Sequence, residues 1–437
     1  MQEKLERAAE MIRGHEGEIC IISHYDADGI ASASIASLAL TRLGKKHSIM
    51  IVKEIKPNII DKIEARQEDF LLFLDIGSGS LNYINYIEKP KIIILDHHLP
   101  DCRPRENILH INSAEIGREA LTGSALTWLL SHKIDAKNID LVGLAVIGTV
   151  GDCHEVQPEL LIDERFVKAE HGLNFFGRMS RPIHKVLELS YEPYIPNITG
   201  NESAAVQLLS ELNIPLKENG RWRTLNDLNR GELGALVDRI IKYTGYADLF
   251  GYNYNIFTES GALDAKECAT MINACSRLDD PDLAIEFCKS IVTGNLDELM
   301  PKIKEMNILY RRMLSNYLTW LQRAAGAIVD RQNAIYIDGK DVVNPNFIGT
   351  INSIFIRRNK IQKPVISFAY EEDGIKVSAR SANGVNIGDV MARAARVVDG
   401  IGGGHKDAGG AVIPAERLQE FIDACEREIS TQKIHVN

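Results

Sequence analysis

The sequence of 437 residues predicts an α/β protein in three parts: a mainly parallel-sheet domain over 1–195, a helical segment with a long connecting helix over 196–325, and a smaller α/β domain over 326–437. Two observations carry this prediction. Short β-rich runs alternate with helical segments near the start of the chain, which is typical of a parallel sheet with crossover helices. Helical pattern then dominates until strand-like runs return, so helices separate the two α/β parts.

Four apolar runs predict the parallel strands of the first domain. They are EICIIS at 18–23, SIMIVK at 48–53, FLLFL at 70–74 and KIIIL at 91–95. Helical pattern over 29–43 and 122–131 predicts two of the crossover helices. Parallel sheets bind ligands beyond the carboxyl ends of their strands, so the residues after each run are candidate site residues. Those residues are mostly aspartates and histidines.

The middle of the chain, from about 155 to 295, is predicted to be mostly helical, with a proline-rich connector at 181–200. A long amphipathic helix is predicted over 297–325, because its one proline stands near the start, where proline is tolerated. Strand-like runs, a helix near 387–398 and the glycine-rich loop GIGGGHKDAGG then indicate the second α/β domain.

Composition excludes several classes of protein. The longest apolar stretch, at 141–150, is far shorter than the roughly 20 residues of a membrane span, and the charged N-terminus lacks a signal sequence, so we expect a cytoplasmic protein with no membrane partner. Seven scattered cysteines without a C-x-x-C pair argue against a disulfide framework or zinc ribbon. A net charge of −10 does not suit duplex DNA, so a nucleic-acid role needs local basic groups or bound cations.

Acidic and imidazole side chains follow the predicted strands and one apolar run. They are His24, Asp26 and Asp28 after the first strand, Asp75 after FLLFL, Asp96, His97 and His98 after KIIIL, and Asp152 after LVGLAVIGTVG. Each aspartate has a structural alternative. Asp28 could be a helix N-cap, Asp75 a cap or turn residue, and Asp152 an N-cap or loop acid.

The combination of these groups favours a metal site over the structural alternatives. Two adjacent histidines have no evident packing role at the end of a buried strand, whereas imidazole and carboxylate together suit Mn²⁺ and similar ions. Like charges gathered at one sheet edge repel unless cations neutralise them. Two ions about 3.5 to 4 Å apart could polarise a phosphoryl group.

The segments HYDADG, LDHH and GTVGDC, with the aspartate after LLFL, resemble the four motifs of the DHH phosphoesterases. The resemblance implies two divalent metal ions, with Mn²⁺ expected ahead of Mg²⁺. It assigns one ion to His24, Asp26 and Asp75 and the other to Asp28, Asp75, His97 and Asp152, so that Asp75 bridges the two. It also implies that His98 faces the substrate phosphate or leaving group and that Asp96 orients its neighbours, which makes these two the candidate catalytic residues.

Three further segments resemble substrate-contacting parts of the same family. GGGHKDAGG resembles the GGGH motif of the DHH-associated domain, and its candidate contacts are Gly402, Gly403, Gly404 and His405. Successive glycines let backbone amides approach a phosphate, although an ordinary glycine turn is the structural alternative. Ser-Ala-Arg ending at Arg380, and the N-A-x-x-R segment ending at Arg277, are similar to segments in which the family contacts substrate. For Arg380 the alternative is a solvated surface residue.

The resemblance covers nearly the whole chain and implies an archaeal RecJ-like exonuclease that hydrolyses single-stranded DNA, RNA or both to mononucleotides by a two-metal mechanism, in DNA replication, DNA repair or RNA turnover. One rival is a phosphodiesterase for short oligonucleotides or cyclic dinucleotides. A second is a replisome scaffold that binds the GINS complex, since archaeal RecJ-like proteins resemble a eukaryotic helicase-activating factor that has lost its metal motifs. An inorganic pyrophosphatase is a distant third, because its first motif has a different spacing.

Overall fold

The structure is a computed structural model that describes residues 1–89, 91–116, 121–190, 193–245, 249–324, 326–371, 374–381, 384–404 and 406–434. The chain packs into two compact units. The first comprises Met1–Val186 and Ala205–Asn307, and the second comprises Leu187–Ala204 and Ile308–Asn437. The division into three domains at 195 and 325 stays a prediction.

A five-stranded parallel sheet, in the order β2-β1-β3-β4-β5, forms the centre of the first unit. Its strands are β1 Ile19–His24, β2 His47–Val52, β3 Phe70–Leu74, β4 Lys91–Asp96 and β5 Ile108–Asn112. The middle strand β3 is apolar and buried at every position, because both faces of a parallel sheet are covered. The predicted parallel sheet is confirmed. The polar side chains of His110 and Asn112 in β5 kept that strand from being recognised in the sequence.

Helices cover both faces of this sheet, some directly and some by packing on other helices. They are α1 Gln2–Arg13, α2 Ala27–Arg42, α3 Pro57–Glu64, α4 Leu81–Ile84, α5 Gly123–Ile134, α6 Val142–Gly151 and α7 Pro158–Leu161. Helix α2 is buried along nearly its whole length, because its alanines and serines let neighbouring helices approach closely. Three of its serines, Ser32, Ser34 and Ser37, are fully buried. The hydroxyls of Ser32 and Ser34 donate to backbone carbonyls four residues earlier.

The middle of the chain contains strands as well as the predicted helices. The strands are β6 Val167–Leu173, β7 Lys217–Glu218, β8 Arg221–Trp222, β9 Phe250–Thr258 and β10 Gly261–Asp264, and the helices are α8 Ile183–Glu188, α9 Glu202–Glu211, α10 Arg230–Thr244, α11 Ala265–Arg277, α12 Pro281–Thr293 and α13 Leu296–Arg323. Strands β10, β9 and β6 form an antiparallel sheet. The prediction of a mostly helical segment missed this sheet, since β9 inverts the usual pattern: Asn253 and Asn255 are buried, while Tyr252 and Phe257 are exposed.

The second unit contains a six-stranded sheet in the order β11-β12-β13-β14-β16-β15. Its strands are β11 Ile328–Asp330, β12 Ile335–Asp338, β13 Val365–Glu371, β14 Gly374–Arg380, β15 Ile401–Gly404 and β16 Ala408–Ile413, and its helices are α14 Ile348–Asn359, α15 Ile387–Val397 and α16 Leu418–Ile434. The predicted glycine loop is wrong for Gly402 to Gly404, which form the edge strand β15. A Cβ at Gly402 would lie 2.5 Å from the carbonyl oxygen of Met391, so glycine lets this strand pack tightly on α15.

Two smaller observations concern the predicted class of protein. Within the described residues, no helix combines the length and the apolarity that crossing a membrane requires. The seven cysteines all lie in the described part of the chain, and none is paired in a disulfide; only Cys102 and Cys153 are exposed.

Candidate metal centre

The first three candidate ligands meet where β1 passes into α2. Nδ1 of His24, the last residue of β1, lies 3.1 Å from Oδ2 of Asp26 and 3.6 Å from Oδ2 of Asp75. Asp26 is also the N-cap of α2, because its Oδ1 accepts a hydrogen bond of 3.1 Å from the backbone N–H of Gly29. The N-cap role considered for Asp28 therefore belongs to Asp26.

Asp28 lies in the first turn of α2, and only 1% of its surface is exposed. Its Oδ1 accepts hydrogen bonds from the backbone N–H and the hydroxyl of Ser124, at 3.1 and 2.5 Å. Its Oδ2 is buried and has no hydrogen-bond partner in the part of the chain that the structure describes. A buried, half-satisfied carboxylate is costly unless another group binds the second oxygen.

Asp75 follows β3 directly and is 2% exposed. Its backbone takes the left-handed conformation (φ 57°), which Asp tolerates better than most residues, and its N–H donates to the carbonyl of Leu95 at 2.8 Å. Its Oδ1 lies 3.2 Å from Nε2 of His97. The two carboxylate oxygens of Asp75 thus approach different histidines, His24 and His97.

Asp96, at the end of β4, is fully buried and fully hydrogen bonded. Its oxygens accept from the backbone N–H groups of Ser78, His97 and His98, at 2.8, 2.8 and 3.2 Å, and from Nδ1 of His98 at 2.7 Å. Burial by itself would raise the pKa of Asp96, but hydrogen bonds from His98 and Ser78 outweigh it and hold that pKa well below its usual range. With its oxygens occupied in this way, Asp96 orients its neighbours.

The remaining candidate ligands meet at the end of α6. Asp152 is the C-cap of this helix, and its Oδ2 lies 3.4 Å from Nε2 of His97. The same oxygen lies 3.2 Å from Nε2 of His154, a residue that the sequence analysis did not identify. The signal that could have found His154 is an imidazole two residues after a candidate aspartate ligand.

The electrostatics of the cluster fit divalent cations. Burial, with the neighbouring charges of Asp28 and Asp26, raises the pKa of Asp75 well above its usual range and that of Asp152 to about 7. Burial opposes protonation of His24, but the carboxylates of Asp26 and Asp75 outweigh it and raise its pKa. Carboxylates so crowded need positive charge beside them.

Buried ligand atoms that lack hydrogen bonds also indicate that cations bind at this cluster. Among the described residues, no hydrogen bond reaches four buried atoms of the cluster: Nδ1 of His24, Oδ2 of Asp28, Oδ1 of Asp75 and Nε2 of His97. Buried polar atoms are normally satisfied, so several orphans in one cluster indicate that a ligand binds there. Imidazole nitrogens and carboxylate oxygens are donors that Mn²⁺ and related divalent ions accept.

The candidate substrate residues lie in both units. Arg277, the half-buried last residue of α11, belongs to the first unit, and Oδ1 of Asn273, one turn earlier, accepts from the backbone N–H of Ala27 at 3.1 Å. In the second unit, Arg380 pairs with Ala408 and Gly404 with Gly409, so Arg380 and Gly404 lie at one end of the same sheet. His405 lies outside the described residues.

Three family models match the chain. The DHH family N-terminal domain matches residues 18–149, the DHH-CID domain matches 175–248, and the DHHA1 domain matches 331–431. The first covers the sheet and helices that carry His24 to His98, and it ends just before Asp152.

Curated relatives match over nearly all of this chain. An uncharacterized protein of Methanocaldococcus jannaschii is 28% identical over 98% of both chains. The single-stranded-DNA-specific exonuclease RecJ of Bacillus subtilis is 24% identical over 97% of this chain but only 48% of its own length. This chain thus spans about half of that relative.

Solved structures share the fold at low sequence identity. RecJ of Thermus thermophilus in complex with Mn²⁺ superposes with a TM-score of 0.63 at 18% identity, over 98% of this chain and 55% of that one. CDC45 of Entamoeba histolytica superposes with a TM-score of 0.68 at 13% identity, over 98% and 99% of the two chains.

A parallel sheet whose strand ends gather acidic and imidazole groups, matched by these family models, defines a phosphoesterase, a hydrolase that acts on phosphodiester bonds. Within that class, the chain belongs to the DHH superfamily and is a RecJ-like protein.

Proposed function

We propose that this protein is a metal-dependent exonuclease that degrades single-stranded DNA, RNA or both to mononucleotides, using two divalent ions, with Mn²⁺ preferred to Mg²⁺. The observation that carries the proposal is the cluster of buried, unpartnered ligand atoms at one edge of the parallel sheet. The similarity to RecJ of B. subtilis across 97% of this chain supports single strands as the substrate. A role in DNA replication, DNA repair or RNA turnover in the cytoplasm is part of the same proposal.

In this proposal His24, Asp26 and Asp75 hold one ion, and the other is held by Asp28, Asp75, His97 and Asp152. When bound, the two ions neutralise phosphate charge and lower the pKa of the attacking water. Asp96 fixes the imidazole of His98 through Nδ1, which leaves Nε2 as the atom that donates to the phosphate or the leaving oxygen. The His98 side chain is 35% exposed, so substrate can reach it.

Binding of a single-stranded nucleic acid needs local phosphate-binding groups, since the protein carries a net charge of −10. In the second unit, β15 is the edge strand of its sheet, and its backbone N–H groups and the guanidinium of Arg380 are the candidate donors. No described residue lies within 4 Å of the position that a Cβ would take at Gly403, whereas Gly404 has a backbone φ of 140° that favours glycine. Arg277 is the candidate donor of the first unit, and His405 remains a proposed contact.

The test is hydrolysis of end-labelled single-stranded DNA and RNA with Mn²⁺ or Mg²⁺, followed over time, with duplex DNA as the comparison. We expect mononucleotides to appear from one end of the single strands from the earliest time points. Intact single strands under every metal condition, or internal cuts only, would contradict the proposal. A series of single-stranded substrates from about two to 30 nucleotides spans short and long binding sites. It separates the exonuclease from the phosphodiesterase for short or cyclic substrates. The phosphodiesterase would hydrolyse only the shortest substrates of the series.

Ser124 holds the carboxylate of Asp28 through Oδ1, which leaves Oδ2 for an ion. We therefore expect Ser124→Ala to weaken Mn²⁺ binding by about 10- to 100-fold, because the carboxylate would lose its fixed position. Isothermal titration of metal-free protein measures this. Ser131→Ala is the matched control, since Ser131 is buried in the same helix α5 and its hydroxyl donates only to the carbonyl of Trp128 among described residues. Equal losses in both variants would contradict the prediction.

Metal binding should also stabilise the fold. Ions that bind only the folded chain add about 2.7 kcal/mol to the free energy of unfolding at 100 times their dissociation constant. We therefore expect Mn²⁺ to raise the thermal midpoint of the first unit in a concentration-dependent way, and a chelator to reverse the rise. A midpoint that does not respond to Mn²⁺ would contradict an ion at this cluster.

The fold shared with CDC45 of E. histolytica supports a second candidate function, a scaffold in a replisome that binds the GINS complex. Size-exclusion chromatography of the full chain with GINS from the same source tests it. Binding that persists after Asp75→Asn would support a scaffold role independent of hydrolysis, and absence of a complex would remove this candidate.

A further inference from the structure

We propose that His154 is a further metal ligand, which joins His97 and Asp152 and gives one of the two ion sites a pair of imidazoles. The inference rests on the proposed two-ion centre and adds a residue and a metal preference to it. Its consequence is an unequal pair of sites, in which the site at His97 and His154 prefers Mn²⁺ to Mg²⁺ more strongly than the site at His24.

The distances among the three side chains suit one ion. Nε2 of His154 lies 3.2 Å from Oδ2 of Asp152, which itself lies 3.4 Å from Nε2 of His97, and the two imidazole rings are 5.2 Å apart and nearly perpendicular. One ligand atom from each residue falls within 4.8 Å of the others. His97, Asp152 and His154 could therefore hold one ion through two imidazole nitrogens and one carboxylate oxygen.

A second observation points into the same space. Nε2 of His97 is buried, with its side chain 3% exposed, and none of the described residues forms a hydrogen bond with it. This buried imidazole nitrogen lies close to a carboxylate oxygen but does not form a hydrogen bond with it. An ion bound there would satisfy the nitrogen.

The backbone explains why His154 reaches the site. At the end of α6, the N–H of His154 donates to the carbonyl of Thr149 at 3.1 Å, and the N–H of Cys153 donates to that of Val150 at 3.1 Å. This pair of bonds is a Schellman motif, which turns the chain back across the helix end. Asp152 and His154 therefore flank the C-terminus of α6, where the helix dipole favours a cation.

The residue between them is under backbone strain. Cys153 has a φ of 59°, a left-handed conformation that glycine usually supplies at this position of the motif. A residue with a Cβ is less stable than glycine in this conformation. The motif forms nevertheless, and it places the imidazole of His154 beside Asp152. A helix can end without an imidazole at this position.

Imidazole ligands change which ion is held. Mg²⁺ prefers oxygen ligands in octahedral geometry, whereas Mn²⁺ and later divalent metals accept imidazole nitrogen. The site with His97 and His154 has two nitrogens, and the site with His24 has one. Removing His154 should therefore weaken Mn²⁺ at one site and leave Mg²⁺ nearly unchanged.

The experiment is Mn²⁺ and Mg²⁺ titration of the metal-free full chain without substrate, by calorimetry and by the electron paramagnetic resonance of free Mn²⁺. We expect His154→Ala to weaken one of two Mn²⁺ sites by about 10- to 100-fold, by analogy with loss of a residue that supports a ligand, with Mg²⁺ affinity changed less than about threefold. His154→Gln repeats the test with a similar side-chain volume, should His154→Ala not fold. His171→Ala, at an exposed histidine on β6, is the matched control.

Unchanged Mn²⁺ affinity at both sites in His154→Ala and His154→Gln would overturn the inference. Equal weakening of Mn²⁺ and Mg²⁺ would overturn the predicted preference. The proposed function fails separately: in that case the wild-type chain binds no Mn²⁺, or Asp75→Asn leaves both Mn²⁺ sites intact.

Discussion

Asp75→Asn should reduce phosphodiester hydrolysis by about 10³-fold or more, because in the proposed centre the carboxylate of Asp75 would serve both ions and metal-ion stabilisation of the reacting phosphate is worth several kcal/mol. Asp75 is the residue whose two oxygens approach different histidines, 3.2 Å from His97 and 3.6 Å from His24. The amide keeps the shape of the side chain but removes its charge. Single-turnover hydrolysis with saturating Mn²⁺ measures the loss.

The same substitution should not unfold the metal-free protein. Burial and the charges of Asp28 and Asp26 raise the pKa of Asp75, so its ionised form destabilises the metal-free fold as the pH rises through that pKa. A neutral amide removes this penalty, and in chelator at pH 8 the thermal midpoint of the variant should equal or exceed that of the wild type. Asp238→Asn, at an exposed position on α10, is the control for the charge change. Wild-type hydrolysis by Asp75→Asn would exclude the bridging role.

Gly123→Ala should lower hydrolysis by about 100-fold through displacement of Asp75, since misplacement of a reacting group by about 1 Å has an effect of that size. A Cβ at Gly123 would lie 2.4 Å from Cβ of Asp75 and 2.8 Å from its Cα, so the backbone of one of the two must move. The overpacking should also destabilise the chain by about 1 to 3 kcal/mol.

The control for this substitution is Gly234→Ala in α10, where no described residue outside the local helix backbone lies within 4 Å of the added methyl group. Alanine favours a helix over glycine by about 1 kcal/mol, so this variant should be as stable as the wild type or more so. The measurements are the rate of hydrolysis at saturating metal and the midpoint of denaturant unfolding. A Gly123→Ala variant with normal activity would show that the start of α5 can move without moving Asp75.

The sequence predicted that the candidate ligands lie together, because the topology of a parallel sheet makes the position of strand ends predictable. Once β1, β3 and β4 are recognised as parallel, the residues after them must share one edge, and His24, Asp75 and His97 come together there. The roles of these residues as ligands remain predictions. What the topology cannot give is the local hydrogen bonding that makes Asp26 a helix cap and saturates Asp96.

The parts that the sequence did not predict depend on tertiary packing. Strand β9 was missed because its buried positions hold Asn253 and Asn255, and Asn255 is satisfied by Arg178, which lies 77 residues away in sequence. The glycines of β15 looked like a loop, but the absence of side chains is what allows the strand to pack on α15. His154 was missed because only the Schellman motif after α6 brings it to Asp152.

Asp96 and Asp152 take up protons at different pH values, because hydrogen bonds stabilise the ionised form of Asp96. Its pKa lies well below the usual range, so the stability that its ionised form contributes persists until the pH falls far below that of ordinary carboxylates. Asp152, with a pKa of about 7 in the metal-free chain, takes up a proton at much higher pH, and protons then compete with metal. We therefore expect mild acid to release metal from the site at Asp152 while the end of β4 keeps the hydrogen bonds of Asp96.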